Sequence, residues 1–342
     1  MTAALASLSP TLSLEEVRRR FVDLAQPRLG SEVVFATDDF FADKARLIAP
    51  EEPVFVPGKY DAHGKWMDGW ESRRKRSPGH DWCVIRLGVP GTVAGFEIDT
   101  SHFTGNYPPG ALIEVCASDQ ALPDDGARWT AVTPRLELRG DDRVYVEVAH
   151  APVVTHVRLN IFPDGGVARL RVWGRVRPDW SGLEPGVAVD LLAMAWGGRG
   201  VLANDEHYGR VANLTAPGRG VDMGDGWETR RRRTPGHDWA VLELGALGRI
   251  EEIQVDTAHF RGNYPDRCSI QAAASAAGDP VSIAAEAEHW PLLLPPVKLQ
   301  ADHVHTFRDE LAALGPVRFV RLNIFPDGGV SRLRMVGVPH TG

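Results

Sequence analysis

Cysteine is scarce in this chain, with three in 342 residues. Cys83, Cys116 and Cys268 are odd in number and fall in no metal-like spacing, so neither a disulfide framework nor a thiolate metal site is expected. They read as reduced thiols of a cytoplasmic protein. No apolar run approaches the ~18 residues of a membrane helix. No basic-then-apolar stretch opens the chain as a secretory signal would, and no membrane is expected as a partner. A dominant charge is missing too. The net charge of −7, from 38 Lys and Arg against 45 Asp and Glu, gives no global reason to bind nucleic acid. HExxH spacing is absent. No metal is demanded by pattern, although the abundant His and carboxylates would suit Mn or Zn.

What the chain does have, it has twice. DGWESRRKRSPGHDWCVIRLG begins at Asp68 and DGWETRRRRTPGHDWAVLELG at Asp225. DTSHFTGNYP from Asp99 returns as DTAHFRGNYP from Asp256, and VRLNIFPDGG from Val157 returns from Val320. About 24 of 41 positions are identical between Asp68–Pro108 and Asp225–Pro265. Most of them are polar, Gly, Trp or Pro, while apolar positions vary (Ile85 against Leu242, Val93 against Ile250). Residues kept in this way shape loops or handle a ligand. A period above a hundred residues is a domain duplication, not a solenoid.

The first repeat is placed at 20–177 and the second at 188–342, with Pro- and Gly-rich residues 178–187 as linker. Residues 1–19 hold a leader, disordered over 1–12, and the start of a short helix. Ser13-Leu-Glu-Glu16 is a capping box, and helical spacing runs over Glu15–Leu24. Beyond it come short strands broken by Gly and Pro, the pattern of an antiparallel all-β protein. Alternation places Cys83, Ile85 and Leu87 inward, with Phe96, Ile98, Val157, Leu159 and Ile161. The same rule turns Glu97, Asp99, Arg169 and Arg171 outward. Gly105 is expected to take a positive φ in the loop after Asp99.

The order of the pieces, with Asp68-Gly69-Trp70, then Trp82 to Gly88, Val93 to Ile98 and Arg158 to Gly174, resembles the discoidin or galactose-binding-like jelly roll. That resemblance implies two tandem β-sandwiches with ligand loops at one end. The motifs DGWE[ST]RR, RxPGHDW, DTxHFxGNYP and RLNIFPDGG, each present twice from about Val22 to Gly337, more sharply resemble the allantoicase family. Membership would imply hydrolysis of allantoate to ureidoglycolate and urea, a step of allantoin and purine breakdown, by a homo-oligomer.

Allantoate carries one carboxylate and two ureido arms on one carbon. A site for it needs a cation, amide-like partners, and an acid and base to move protons. The candidate clamps are Arg73, Arg74 and Arg76 with Arg230, Arg231 and Arg233; the other reading of these runs is solvated or ion-paired surface. The catalytic candidates are His80, His102 and Asp99, with His237, His259 and Asp256 in the second copy. His80 follows a Pro-Gly turn, and Asp81 beside it can instead fix that turn. The candidate readers of the ureido arms are Asn106, Asn160, Asn263 and Asn323. Asp68, Trp70 and Asp164 read as scaffold. No cofactor is required by this chemistry, and a divalent metal such as Mn remains open. The competing readings are a non-catalytic tandem carbohydrate-binding module and a hydrolase of a related ureido compound.

Overall fold

A computed structural model describes residues 12–124, 126–149 and 152–340. The leader expected over 1–12 lies, apart from Leu12, outside the described residues. The chain divides into two compact units that meet between Arg177 and Pro178. Each is a β-sandwich of jelly-roll type built around one long strand.

In the first unit that strand is Asp81–Asp99. Its first part, Asp81 to Arg86, pairs antiparallel with Val153–Phe162 and with Glu32–Ala36. Its second part, Gly91 to Asp99, pairs with Arg169–Val176 and Arg143–Glu147. One strand thus serves both layers. The crossing point needs glycine: a Cβ on Gly88 would lie 1.9 Å from the carbonyl oxygen of Leu29. Ile85, Leu159 and Ile113 from one layer and Phe96, Ile98 and Val172 from the other are fully buried. The inward faces read from alternation are those observed.

The second unit repeats the plan on Asp238–Asp256, paired with Val317–Phe325 and Arg332–Pro339. Its Leu242, Ile253, Ile270 and Leu322 are fully buried. The stretch read as linker is not bare, since Trp180 stacks on Trp196 at 4.7 Å.

Three expectations need correction. The N-terminal helix covers only Leu14–Arg20, although its Ser13/Glu16 capping box is present. Phe21 is extended and Val22–Asp23 joins the sheet edge at Trp173–Gly174. Sheet pairing and the burial of Leu24 outweigh helix propensity in so short a segment. Glu97 and Asp99 lie on the polar side of their strand but are each only 2% exposed. Arg18 from the helix and the Trp173 indole cover Glu97 at 2.8 and 3.2 Å. Arg143 covers Asp99 at 3.1 Å. Arg169 is also 2% exposed. It is a hub under the loop end, donating to Asp68 Oδ2 at 2.8 Å and to the carbonyls of Asp68 and Glu51. Arg171, half-buried, approaches Asp23 at 3.6 Å.

Candidate active site

At the loop end, the two-residue strand Trp70–Glu71 pairs with Gly166–Val167. Trp70 is fully buried, and its indole N–H donates to the Asp38 carbonyl at 2.8 Å. Anchoring Trp70 inward turns Glu71 the other way, into a cleft of about 510 Å³ that Arg74, Lys75, Asn106 and Asp164 also line. A neighbouring cleft of about 420 Å³ shares Phe41, Glu71, Gly105 and Asn106 and adds Lys65 and His102. The Glu71–Asn106 pair is therefore common to both hollows. The Asn106 amide N–H donates to Glu71 Oε1 at 2.7 Å. Burial pushes the Glu71 carboxyl above the ordinary carboxylate range; the Asn106 hydrogen bond and the Lys65 charge oppose this without cancelling it.

The basic run divides by role. Arg73 is ion-paired with Asp38 at 2.7 Å. Lys75 is spent on Asp81 at 2.6 Å, and its amide is held by Asp164 Oδ2 at 2.7 Å. Arg74 lines the cleft and, among the described residues, has no hydrogen-bond or ion-pair partner. It is a cation free to meet an anionic ligand. Arg76 is exposed and lines neither loop-end cleft. In the second unit Arg230 is paired with Asp205 at 2.8 Å and Arg232 with Asp238 at 2.7 Å, while Arg231 and Arg233 are exposed.

The other expected site residues separate. Asp99 and Asp256 are not cleft residues. They are buried turn formers, accepting from the amides of Ser101 and Ala258 at 2.7 and 2.8 Å. A carboxylate sealed behind Arg143 cannot reach a ligand, which corrects the catalytic role expected of Asp99. The left-handed residue of the following loop is His102, at φ 70°, not Gly105. Its ring Nε2 donates to the Pro53 carbonyl at 3.1 Å. His259 repeats this on the Gly220 carbonyl at 2.8 Å, also at φ 70°. These two histidines tie loops together, and His102 does so on the cleft wall.

His80 and Asn160 sit elsewhere, on the outer sheet face, in a hollow of about 330 Å³ with Trp82, Glu114, Arg158 and Phe162. The Asn160 amide N–H donates to Glu114 Oε2 at 2.9 Å, so its Oδ1 accepts from His80 Nε2 at 3.0 Å. His237 and Asn323 repeat that contact at 3.1 Å. Asp68, Trp70 and Asp164 are scaffold, as read from the sequence.

The residues that sequence reasoning missed are Glu71, its counterpart Glu228, and Lys65. The available signal was the E of DGWE, polar and kept in both copies beside a buried Trp. The second unit places Glu228 within hydrogen-bonding reach of the Asn263 amide. Its surroundings differ: the Met223 sulfur lies 3.9 Å from that amide. Asp222 stands where the first unit has Lys65 and caps a short turn, accepting from the Asp225 amide at 3.1 Å. Among the described residues, no group of three or more His, Cys, Asp or Glu is placed to hold a metal ion. Among the same residues no helix is long and apolar enough to cross a membrane. The three cysteines are buried and unpaired, with Cys268 pushed up to about 12 by burial.

Fold and cleft together define a class: a duplicated jelly-roll protein whose loop end offers one half-buried acid, one uncommitted guanidinium and an amide. Comparison with known proteins narrows it. The family model described as the allantoicase repeat matches residues 22–177 and again 189–340. Probable allantoicase 1 of Burkholderia mallei (strain ATCC 23344) is 55% identical over 322 residues, 94% of this chain and 96% of that protein. Probable allantoicase of Ralstonia nicotianae (strain ATCC BAA-1114 / GMI1000) is 51% identical over 98% of this chain and 99% of its own length. The crystal structure of allantoicase from Saccharomyces cerevisiae superposes with a TM-score of 0.78 at 34% identity, covering 95% of this chain and 98% of that one. The chain belongs to the allantoicase family.

Proposed function

We propose that the loop-end cleft of the first unit is where this chain hydrolyses allantoate to ureidoglycolate and urea, in purine degradation. The observation that carries the assignment is the triad of complementary groups in one hollow: Glu71 with its raised carboxyl, Arg74 with no partner, and Asn106. Arg74 takes the substrate carboxylate in a charge-assisted pair. Asn106 holds Glu71 through its N–H and offers its Oδ1 to a ureido N–H.

The proton bookkeeping closes on Glu71 alone. The lone pair of one ureido nitrogen forms a C=N bond to the central carbon. The bond to the other ureido nitrogen breaks, and protonated Glu71 gives that nitrogen its proton, releasing urea. The N-acyliminium left behind keeps its own N–H. Water adds to its carbon, the C=N pair returns to nitrogen, and the water proton goes to the Glu71 carboxylate. Glu71 ends protonated, as it began. A carboxyl raised by burial is suited to start this cycle as an acid.

The reading includes no required cofactor. Urea release from allantoate, with and without EDTA, tests it. Urea in both samples supports it. Activity lost to EDTA and restored by Mn(II) removes the cofactor-free part. No urea, even with added metals, defeats the assignment. Self-association belongs to the same reading, supported by Val54, Phe55 and Tyr60 of the first unit, which are 53, 41 and 71% exposed. Light scattering checks it, and a monomer at working concentration removes it.

A further inference from the structure

The outer sheet face of the first unit holds a groove that the reaction above does not use. Trp82, Val84, Leu112, Glu114, Arg158 and Asn160 are register neighbours on three adjoining strands, with even numbers all on one side. The hollow at His80 adjoins another of about 280 Å³, lined by Phe35, Leu122 and Trp129, and the two share Trp82 and Arg158. Leu122 on its rim is 44% exposed.

The second unit shows what this face looks like when filled. There the helix Pro280–Ala287 and Trp290 lie over the corresponding strands, with Ile283, Ala284, Ala287 and Trp290 packed on Val241 and Phe319 and against Leu202 and Trp239. Gln271, in the place of Glu114, donates to the carbonyls of Glu288 and Trp290 at 2.9 and 2.8 Å. Val241, Leu202 and Trp239 correspond to Val84, Phe35 and Trp82. One copy plugs the face with its own helix; the other leaves it open and aromatic.

We propose that the first unit's groove binds an uncharged, planar nitrogen heterocycle carrying both N–H and C=O groups. Charge balance points to a neutral ligand: Arg158 is neutralised by Glu114 at 2.6 Å, and the other two charges at the groove, Asp124 in its lining and Arg135 over the Phe162 ring, are opposite in sign. The polar atoms left open are of both kinds. Arg158 uses Nε and Nη2 on Glu114, leaving Nη1 to donate. Glu114 receives its bonds on Oε2, leaving Oε1 to accept. His80 donates through Nε2, so Nδ1 accepts. Aromatic rings enter from separate elements: Phe35, Trp82, Phe162, and Trp129, which carries the Arg158 guanidinium at 4.5 Å. Walls of this kind suit a ring with two flat π faces better than a saccharide, which offers one apolar face.

The test is a tryptophan-fluorescence titration of the full chain with hydantoin, which is transparent where tryptophan absorbs. Free monosaccharides are titrated in parallel. The proposal expects saturable quenching by hydantoin below about 10 mM. Trp129→Ala weakens it at least about tenfold, the scale of one lost stacking contact, while urea release from allantoate stays at the parent rate and reports an intact fold. Glu114→Gln, which installs the second unit's residue, weakens it in the same direction. Arg74→Ala leaves it unchanged. No hydantoin binding overturns the proposal. So does binding lost in Arg74→Ala but kept in Trp129→Ala, which would place the ligand in the loop-end cleft. Binding confined to monosaccharides overturns it as well.

Discussion

In the first unit Lys65 lines the cleft beside Glu71 and Asn106. In the second, the matching position is Asp222, bonded into a turn of its own, and the Met223 sulfur abuts the Asn263 amide. Beneath this difference the two frames share their principal bonds. Trp70 and Trp227 donate to the Asp38 and Asp205 carbonyls at 2.8 and 2.9 Å. Asp164 and Asp327 hold the amides of Lys75 and Arg232 at 2.7 and 2.8 Å. Arg169 and Arg332 are buried hubs paired with Asp68 and Asp225 at 2.8 and 2.7 Å. Retention of polar residues in both copies is thus two signals mixed. Most of the retained residues build the loop end, and only a few face what stands over it. Lys65 adds a cation to the first unit's cleft lining that the second unit, with Asp222 at that position, lacks.

The shared frame carries the largest stability effects. Arg169→Met and Arg332→Met each remove one partner of a buried ion pair, and each is expected to cost about 3–5 kcal/mol. Chemical denaturation of the two variants checks this, and a cost confined to one unit would break the symmetry of the frames. The difference between the units is sharpened next by Arg74→Ala against Arg231→Ala. Losing a charge-assisted bond to the substrate carboxylate is worth about 1.5–3 kcal/mol. KM for allantoate should therefore rise roughly 10- to 150-fold in Arg74→Ala and hold steady in Arg231→Ala. Equal effects would give both units a working cleft.

A smaller effect is set by pH. Burial raises the Glu71 carboxyl, so the folded chain binds its proton more tightly than the unfolded chain does. The stability Glu71 contributes is then fully present below the unfolded pKa and is lost as pH rises through the folded one. Glu71→Gln should melt above the parent protein on the alkaline side of that window and not on the acid side. Melting curves at both ends check the sign. If Glu71 acts as the acid, kcat/KM should also fall on the alkaline side. Least of all, Lys65→Ala removes a charge that lowers the Glu71 carboxyl, and should move that alkaline fall to higher pH. A fall that moves the other way would take Lys65 out of the account.

Alternation made much of the fold legible. Cys83, Ile85, Val157, Leu159 and Ile161 are buried where period two puts them, and the Ser13/Glu16 box starts its helix. Alternation gives the side of a residue, however, not what covers that side. Glu97, Asp99 and Arg169 were read as solvent-facing for that reason, although Arg18, Arg143 and the Asp68 loop close over them. The site was less legible. Arg74 and Asn106 stood among the candidates. Glu71 did not, because a two-residue strand is too short to show a period, and its partner Asn106 lies 35 residues away. Nor does motif order reveal that RLNIF and GHDW turn His80 and Asn160 to a different face from DGWE and GNYP.

The most direct measurement of the central claim is urea release from allantoate by Glu71→Gln and Glu228→Gln in one assay. If the first unit's cleft performs the chemistry, Glu71→Gln lowers kcat by about 10²–10⁴, the usual worth of an acid–base group, and Glu228→Gln keeps the parent rate. Loss of activity in Glu228→Gln with Glu71→Gln unimpaired, or an equal loss in both, would contradict the account.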